Sequence, residues 1–228
     1  MKKCLQRLSI AAVALMCGCV SSRLAYRYGD GLSYDGVDGI DVRQRFHIRS
    51  ISFKDETQKQ SYFAKFQEPL PDVHAVAGVV PELFSQGERT GDLPLDVTVR
   101  LGEIKGSSDF WNMMAALFSL FIVPIEISHE RTSFIEIWSG GEKIVPDATF
   151  TRFDDSHTSV ILPLGLIPYS PKEGCQENVF GESAFRGYGP EETNAFVRIV
   201  ARNIARQLKR HALERLKTPD VDFDFNKE

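Results

Sequence analysis

The feature that most constrains the fold is the run from Glu191 to Lys217, where apolar side chains recur at helical spacing. Phe196, Val200, Ile204, Leu208 and Ala212 stand four residues apart, with Val197, Ala201, Ala205, Leu213 and Leu216 beside them. At about 3.6 residues per turn these positions share one wide stripe, so a long amphipathic helix is predicted. Pro190 suits its first turn, Glu191 and Glu192 meet the positive end of the helix dipole, and basic residues gather at the other end. Arg198, Arg202, Arg206 and Arg210 form a ridge that reads as a solvated face. Such a stripe requires a second layer to cover it.

That layer reads as strands. Leu95, Val97, Val99 and Leu101 alternate with Asp96, Thr98 and Arg100, giving one dry and one wet face. Residues 46–53 (FHIRSISF) read as a strand with a slip of one residue between Ile48 and Ile51. Ser61 to Phe66 is a further strand candidate. Two more strands are expected over 131–138 and 143–153, joined at Ser139-Gly140-Gly141-Glu142, a hairpin signal. Pro71 and Asp72 open a helical run with Val73, Val76, Ala77 and Val80 on one side; Pro81 kinks or restarts it and Gly87 ends it. The expected fold is α+β: a small, mostly antiparallel sheet packed against a long C-terminal helix, within one domain over residues 46–217.

Two apolar insertions exceed what this core needs, one near 110–127 (FWNMMAALFSLFIVPIEI) and one near 159–169, containing VILPLGLIP. Both end in an aliphatic-aliphatic-proline step, Ile122-Val123-Pro124 and Leu166-Ile167-Pro168. Neither approaches the roughly 20 apolar residues that a membrane-spanning helix needs. They read as buried core, as a protrusion into a bilayer interface, or as the lining of a groove for an apolar ligand. Under the last two readings the contact residues are Trp111, Met113, Met114, Leu117, Phe118, Phe121, Ile122, Leu164, Leu166 and Ile167.

The N-terminus carries a different kind of information. Lys2, Lys3 and Arg7 precede the apolar run Leu8–Met16, and small residues follow, which is the layout of a secretory signal. The run is too short to span a bilayer. The segment Leu15-Met16-Cys17-Gly18-Cys19 resembles the lipobox of bacterial lipoproteins, with Gly18 before the cysteine and Cys17 departing from the usual pattern. The resemblance implies cleavage of residues 1–18 and a thioether-linked diacylglycerol on Cys19, usually with a third chain on its amine. Several acyl chains anchor a protein without a transmembrane helix, because each buried methylene contributes about 0.8 kcal/mol. Val20 after the cysteine favours the outer over the inner membrane by the family's sorting rule. Residues 19–45, rich in glycine and aspartate over Tyr28–Gly39, are expected to be a flexible tether, and residues 218–228 an acidic tail.

Removing residues 1–18 takes three basic residues and no acids, so the net charge falls from −4 to −7. With no basic block, nucleic acid is a poor partner. Cys4 and Cys17 lie in the signal and Cys19 would be acylated, which leaves Cys175 in a turn-like loop and permits no internal disulfide. His129-Glu130 is not followed by a second histidine in helical register, and Phe185 replaces the second glycine of a nucleophile elbow at Gly181-Glu182-Ser183. Asp154 and Asp155 are adjacent and would face opposite sides of a strand. No catalytic residue, metal site or cofactor is expected. The chain reads as a lipid-anchored, non-catalytic envelope lipoprotein facing the periplasm, an adaptor or assembly component with an envelope protein partner. A carrier of an apolar ligand such as a lipid is the alternative, followed by an envelope hydrolase.

Overall fold

The computed structural model describes residues 19–29, 39–55, 71–107, 114–115, 117–119, 125–159, 170–181 and 190–217. The elements follow in the order β1 (Cys19–Tyr28), β2 (Phe46–Asp55), α1 (Val73–Val79), β3 (Phe84–Ser85), β4 (Leu93–Ser107), β5 (Ile125–Ser139), β6 (Glu142–Lys143), β7 (Ala148–Ser159), β8 (Glu177–Gly181) and α2 (Pro190–Lys217). The strands form one sheet in the order β3-β2-β4-β5-β7-β1-β8, with β6 paired to β5. The fold is α+β. Its sheet is mixed, not mostly antiparallel: β2 pairs in parallel with β3 and β4, whereas β1–β8 and β5–β6 are antiparallel. The cause is the connection. Parallel neighbours need a long crossover, and α1 supplies it between β2 and β4.

The chain divides into two compact units: Met1–Arg27, Glu103–Thr132 and Thr151–Ala195 form one, and Tyr28–Gly102, Ser133–Phe150 and Phe196–Glu228 the other. In the second unit, Asp72 caps α1 by accepting from the His74 amide at 3.2 Å, and Val76 and Ala77 are buried. The helix stops before Pro81 and does not run on toward Gly87, because the residue preceding proline is pushed out of the helical region. The slip in β2 is a bulge between Ile48 and Ser50. It lets both Arg49 and Ser50 reach Asp96 on β4 while Phe46 and Ile48 stay buried. On β4, Leu95, Val97, Val99 and Leu101 are all buried.

Gly140 and Gly141 close the β5–β6 hairpin with φ of 58° and 86°, the positive values that a tight two-residue turn demands. The strand expected over 143–153 is broken, because β6 ends at Lys143 and β7 begins at Ala148, past Pro146. The stripe of α2 is buried from Phe196 to Leu208, while Ala212 and Leu213 are half-buried: the Phe196 ring lies 6.0 Å from both Phe53 and Phe150, and Val200, Ile204 and Leu208 are enclosed. Burial extends beyond that stripe to Ile199, Asn203 and Gln207. The Gln207 Nε2 donates to the Pro146 carbonyl at 2.9 Å, which offsets part of the cost of placing the amide inside.

In the first unit, residues 19–28 form β1 where a tether was expected. The alternation of Leu24 and Tyr26 with Arg23 and Arg27 accounts for the strand; Leu24 and Tyr26 pair with Val179 and Glu177 of β8, and all four are buried. The rest of the expected tether falls on 30–38, outside the described residues, and on 39–45, which is irregular. Ser61–Phe66, the tail 218–228 and most of both apolar insertions also lie outside the described residues. The margins of those insertions belong to strands, since β5 begins at Ile125 and β7 runs to Ser159.

Candidate functional site

The most concentrated chemistry among the described residues is a polar cluster in the first unit, centred on β7. Alternation along a strand sends Arg152 and Asp154 to one face and Phe153 and Asp155 to the other. Arg152 and Asp154 pair at 2.7 Å. Asp155 is 3% exposed and accepts from four donors: Nε of Arg23 at 3.0 Å, a second Arg23 nitrogen, Nζ of Lys172 at 3.2 Å and the Ser128 hydroxyl. Burial, the largest single influence, pushes the Asp155 pKa upward, but the bonds from Ser128, Arg23 and Lys172 together hold it below the ordinary carboxylate value.

Each donor comes from a different piece of chain. Arg23 lies on β1, Ser128 on β5, and Lys172 on the segment leading into β8. Arg23 also donates through Nη1 to the Ser170 carbonyl at 2.7 Å. The Lys172 amide donates to Asn178 at 2.9 Å, and the Gln176 amide to the Tyr26 carbonyl at 2.9 Å. The Phe153 ring carries the Lys172 ammonium 4.2 Å from its centroid and the Arg27 guanidinium at 5.2 Å. The cluster therefore fastens 170–176 across β1 and β7. A carboxylate with a lowered pKa and its oxygens occupied is a weak base, so the arrangement suits holding better than proton transfer. Cys175 sits half-buried beside it. Burial raises its thiol pKa against the opposing charges of Lys172, Arg27 and Arg23, and a protonated thiol is unreactive.

Cys19 is the first residue of β1. Met114 is half-buried, and Leu117 and Phe118 share a helical turn closed by the Ser119 amide on the Ala115 carbonyl at 2.9 Å. Leu117 is 48% and Phe118 82% exposed, so a buried-core reading fails for these two side chains. Trp111, Met113, Phe121, Ile122, Leu164, Leu166 and Ile167 lie outside the described residues. The basic ridge of α2 is partly engaged: Arg206 stacks 4.1 Å from the Tyr28 ring centroid, and Arg210 pairs with Glu214 at 3.0 Å. Sequence reasoning missed the Asp155 cluster, whose members are brought together only by strand pairing. Among the described residues no group of three or more His, Cys, Asp or Glu is placed to hold a metal ion, and no helix is long and apolar enough to cross a membrane. No protein-family model and no curated protein sequence matches this chain.

Proposed function

We propose that this chain is a lipid-anchored, non-catalytic component of the bacterial cell envelope, held by acyl chains on Cys19 and facing the periplasm. It acts there as an adaptor or assembly factor for an envelope protein, and the outer membrane is its favoured site. The observation that carries the reading is the segment Leu15–Cys19 behind a short apolar run. The alternative, a carrier enclosing an apolar ligand, draws less support from Phe118, since a ring 82% exposed lines no closed cavity. Metabolic palmitate labelling of wild type and Cys19→Ala, with detergent phase partitioning of both, tests the anchor. Label on wild type alone is the expected result; unlabelled wild type overturns the reading. Crosslinked pull-down at native levels then tests for the protein partner.

A further inference from the structure

Contacts within the first unit fix which strand ends lie together. Thr132 of β5 meets Thr151 of β7, and Ser128, four residues earlier, meets Asp155, four residues later. These strands are therefore antiparallel, and one further turn of the same register brings the start of β5 beside the end of β7. Arg23 of β1 meets that same Asp155, and the Gly29 amide just past β1 bonds the Thr149 carbonyl of β7, so the two strands are antiparallel and the end of β7 runs toward Cys19. Ser22 pairs with Gly181, the last residue of β8. On β4, Gly106 lies against His129 of β5: a Cβ on that glycine would stand 3.3 Å from the ring. The end of β4 therefore adjoins the start of β5. Cys19, Ser107, Ile125, Ser159 and Gly181 thus terminate strands at one end of the sheet.

Three large hydrophobic side chains are exposed among the described residues, Leu117, Phe118 and Phe180. Phe180 stands opposite Arg23 on β8, one residue before that strand ends here, and Leu117 and Phe118 belong to the connection between β4 and β5, whose flanking strand ends are both here. Elsewhere in the described residues large apolar groups are at least partly covered. Exposed apolar side chains confined to one end of a folded unit mark a surface that another phase or partner covers. The Asp155 cluster lies level with Phe180, because Arg23 both pairs with Phe180 and bonds Asp155, and it ties together β1, β5, β7 and Lys172.

We infer that this end of the sheet is a lipid-docking face, with Leu117, Phe118 and Phe180 seated in the interface of the bilayer that holds Cys19. The inference rests on the Cys19 anchor for the identity of that bilayer, because acyl chains on the first residue of β1 place lipid at the same end. A lipid surface accommodates all three side chains without requiring a shaped complement. Protein acylated at Cys19 would then be fixed in orientation as well as in location.

The test uses the mature acylated protein in vesicles of phosphatidylethanolamine and phosphatidylglycerol. An environment-sensitive probe is placed by Phe118→Cys or, as the control at the exposed β5–β6 turn, by Glu142→Cys, each in a Cys175→Ser background. Quenching by nitroxide lipids at 118 and not at 142 supports docking. A probe at 118 that remains aqueous overturns it, and so does one shielded from water yet untouched by the nitroxide, which means a protein covers the site. Leu117→Asp with Phe118→Asp should leave acylation and melting unchanged while making the protein leave vesicles at least tenfold faster; an unchanged release rate also counts against docking. Intact mass reports the anchor separately. Protein that carries no fatty acid, yet is quenched at 118 when mixed with vesicles, sinks the anchor and keeps the docking face.

Discussion

Asp155→Asn removes the charge of the polar cluster while keeping its shape. Truncating one partner of a buried ion pair costs about 3–5 kcal/mol, because the opposite charge is left uncompensated. Arg23 and Lys172 are 14% and 28% exposed, so both keep some access to water. That places the expected loss near the low end, about 3 kcal/mol. In a domain of this size each kcal/mol shifts the melting point by roughly 2–4 °C, so circular dichroism should show a fall of about 6–12 °C. The pH dependence is a second reading of the same bond. The folded Asp155 has a pKa below its ordinary value. Its contribution is therefore fully present above the unfolded pKa, about 3.9, and is lost as pH falls through the folded one. The gap between wild type and Asp155→Asn should hold from neutral pH down to about 5 and close in stronger acid. Melting points within about 2 °C of each other at neutral pH would refute this account of the cluster.

Three further substitutions probe other parts of the fold. Gly29→Ala puts a methyl 1.6 Å from the Thr149 hydroxyl, where the Gly29 amide also bonds the Thr149 carbonyl at 2.8 Å; the overlap should cost about 2–3 kcal/mol in chemical denaturation, and Thr149→Ala should relieve part of it. Phe196→Ala opens a cavity between Phe53 and Phe150, and a loss of about 3–5 kcal/mol is expected in urea titration. Gln207→Leu leaves the Pro146 carbonyl without its amide donor, at a cost of about 1–3 kcal/mol, read by the same titration.

The parts of this fold visible in the sequence were those set by local periodicity. Alternation marked β4, a four-residue repeat marked α2, paired glycines marked the β5–β6 turn, and the misplaced period in FHIRSISF marked a bulge that strand pairing bears out. The parallel pairing of β2 with β4 was not visible, because partner choice is a tertiary property that periodicity does not encode. β1 does carry a local signal, since Leu24, Tyr26 and Tyr28 alternate with Arg23, Ala25 and Arg27, but the glycine-rich stretch that follows obscures it. For the Asp155 cluster the cost is distance along the chain. Arg23 and Asp155 are 132 residues apart, and only a folded sheet makes them neighbours.

That β1 sits between β7 and β8 has a mechanical consequence. A pull on its first residue, directed along the strand, is carried as shear by two backbone ladders at once and cannot unzip them one rung at a time. The first residue of β1 is thus a firm handle on the sheet, and traction applied there is passed into the body of the fold.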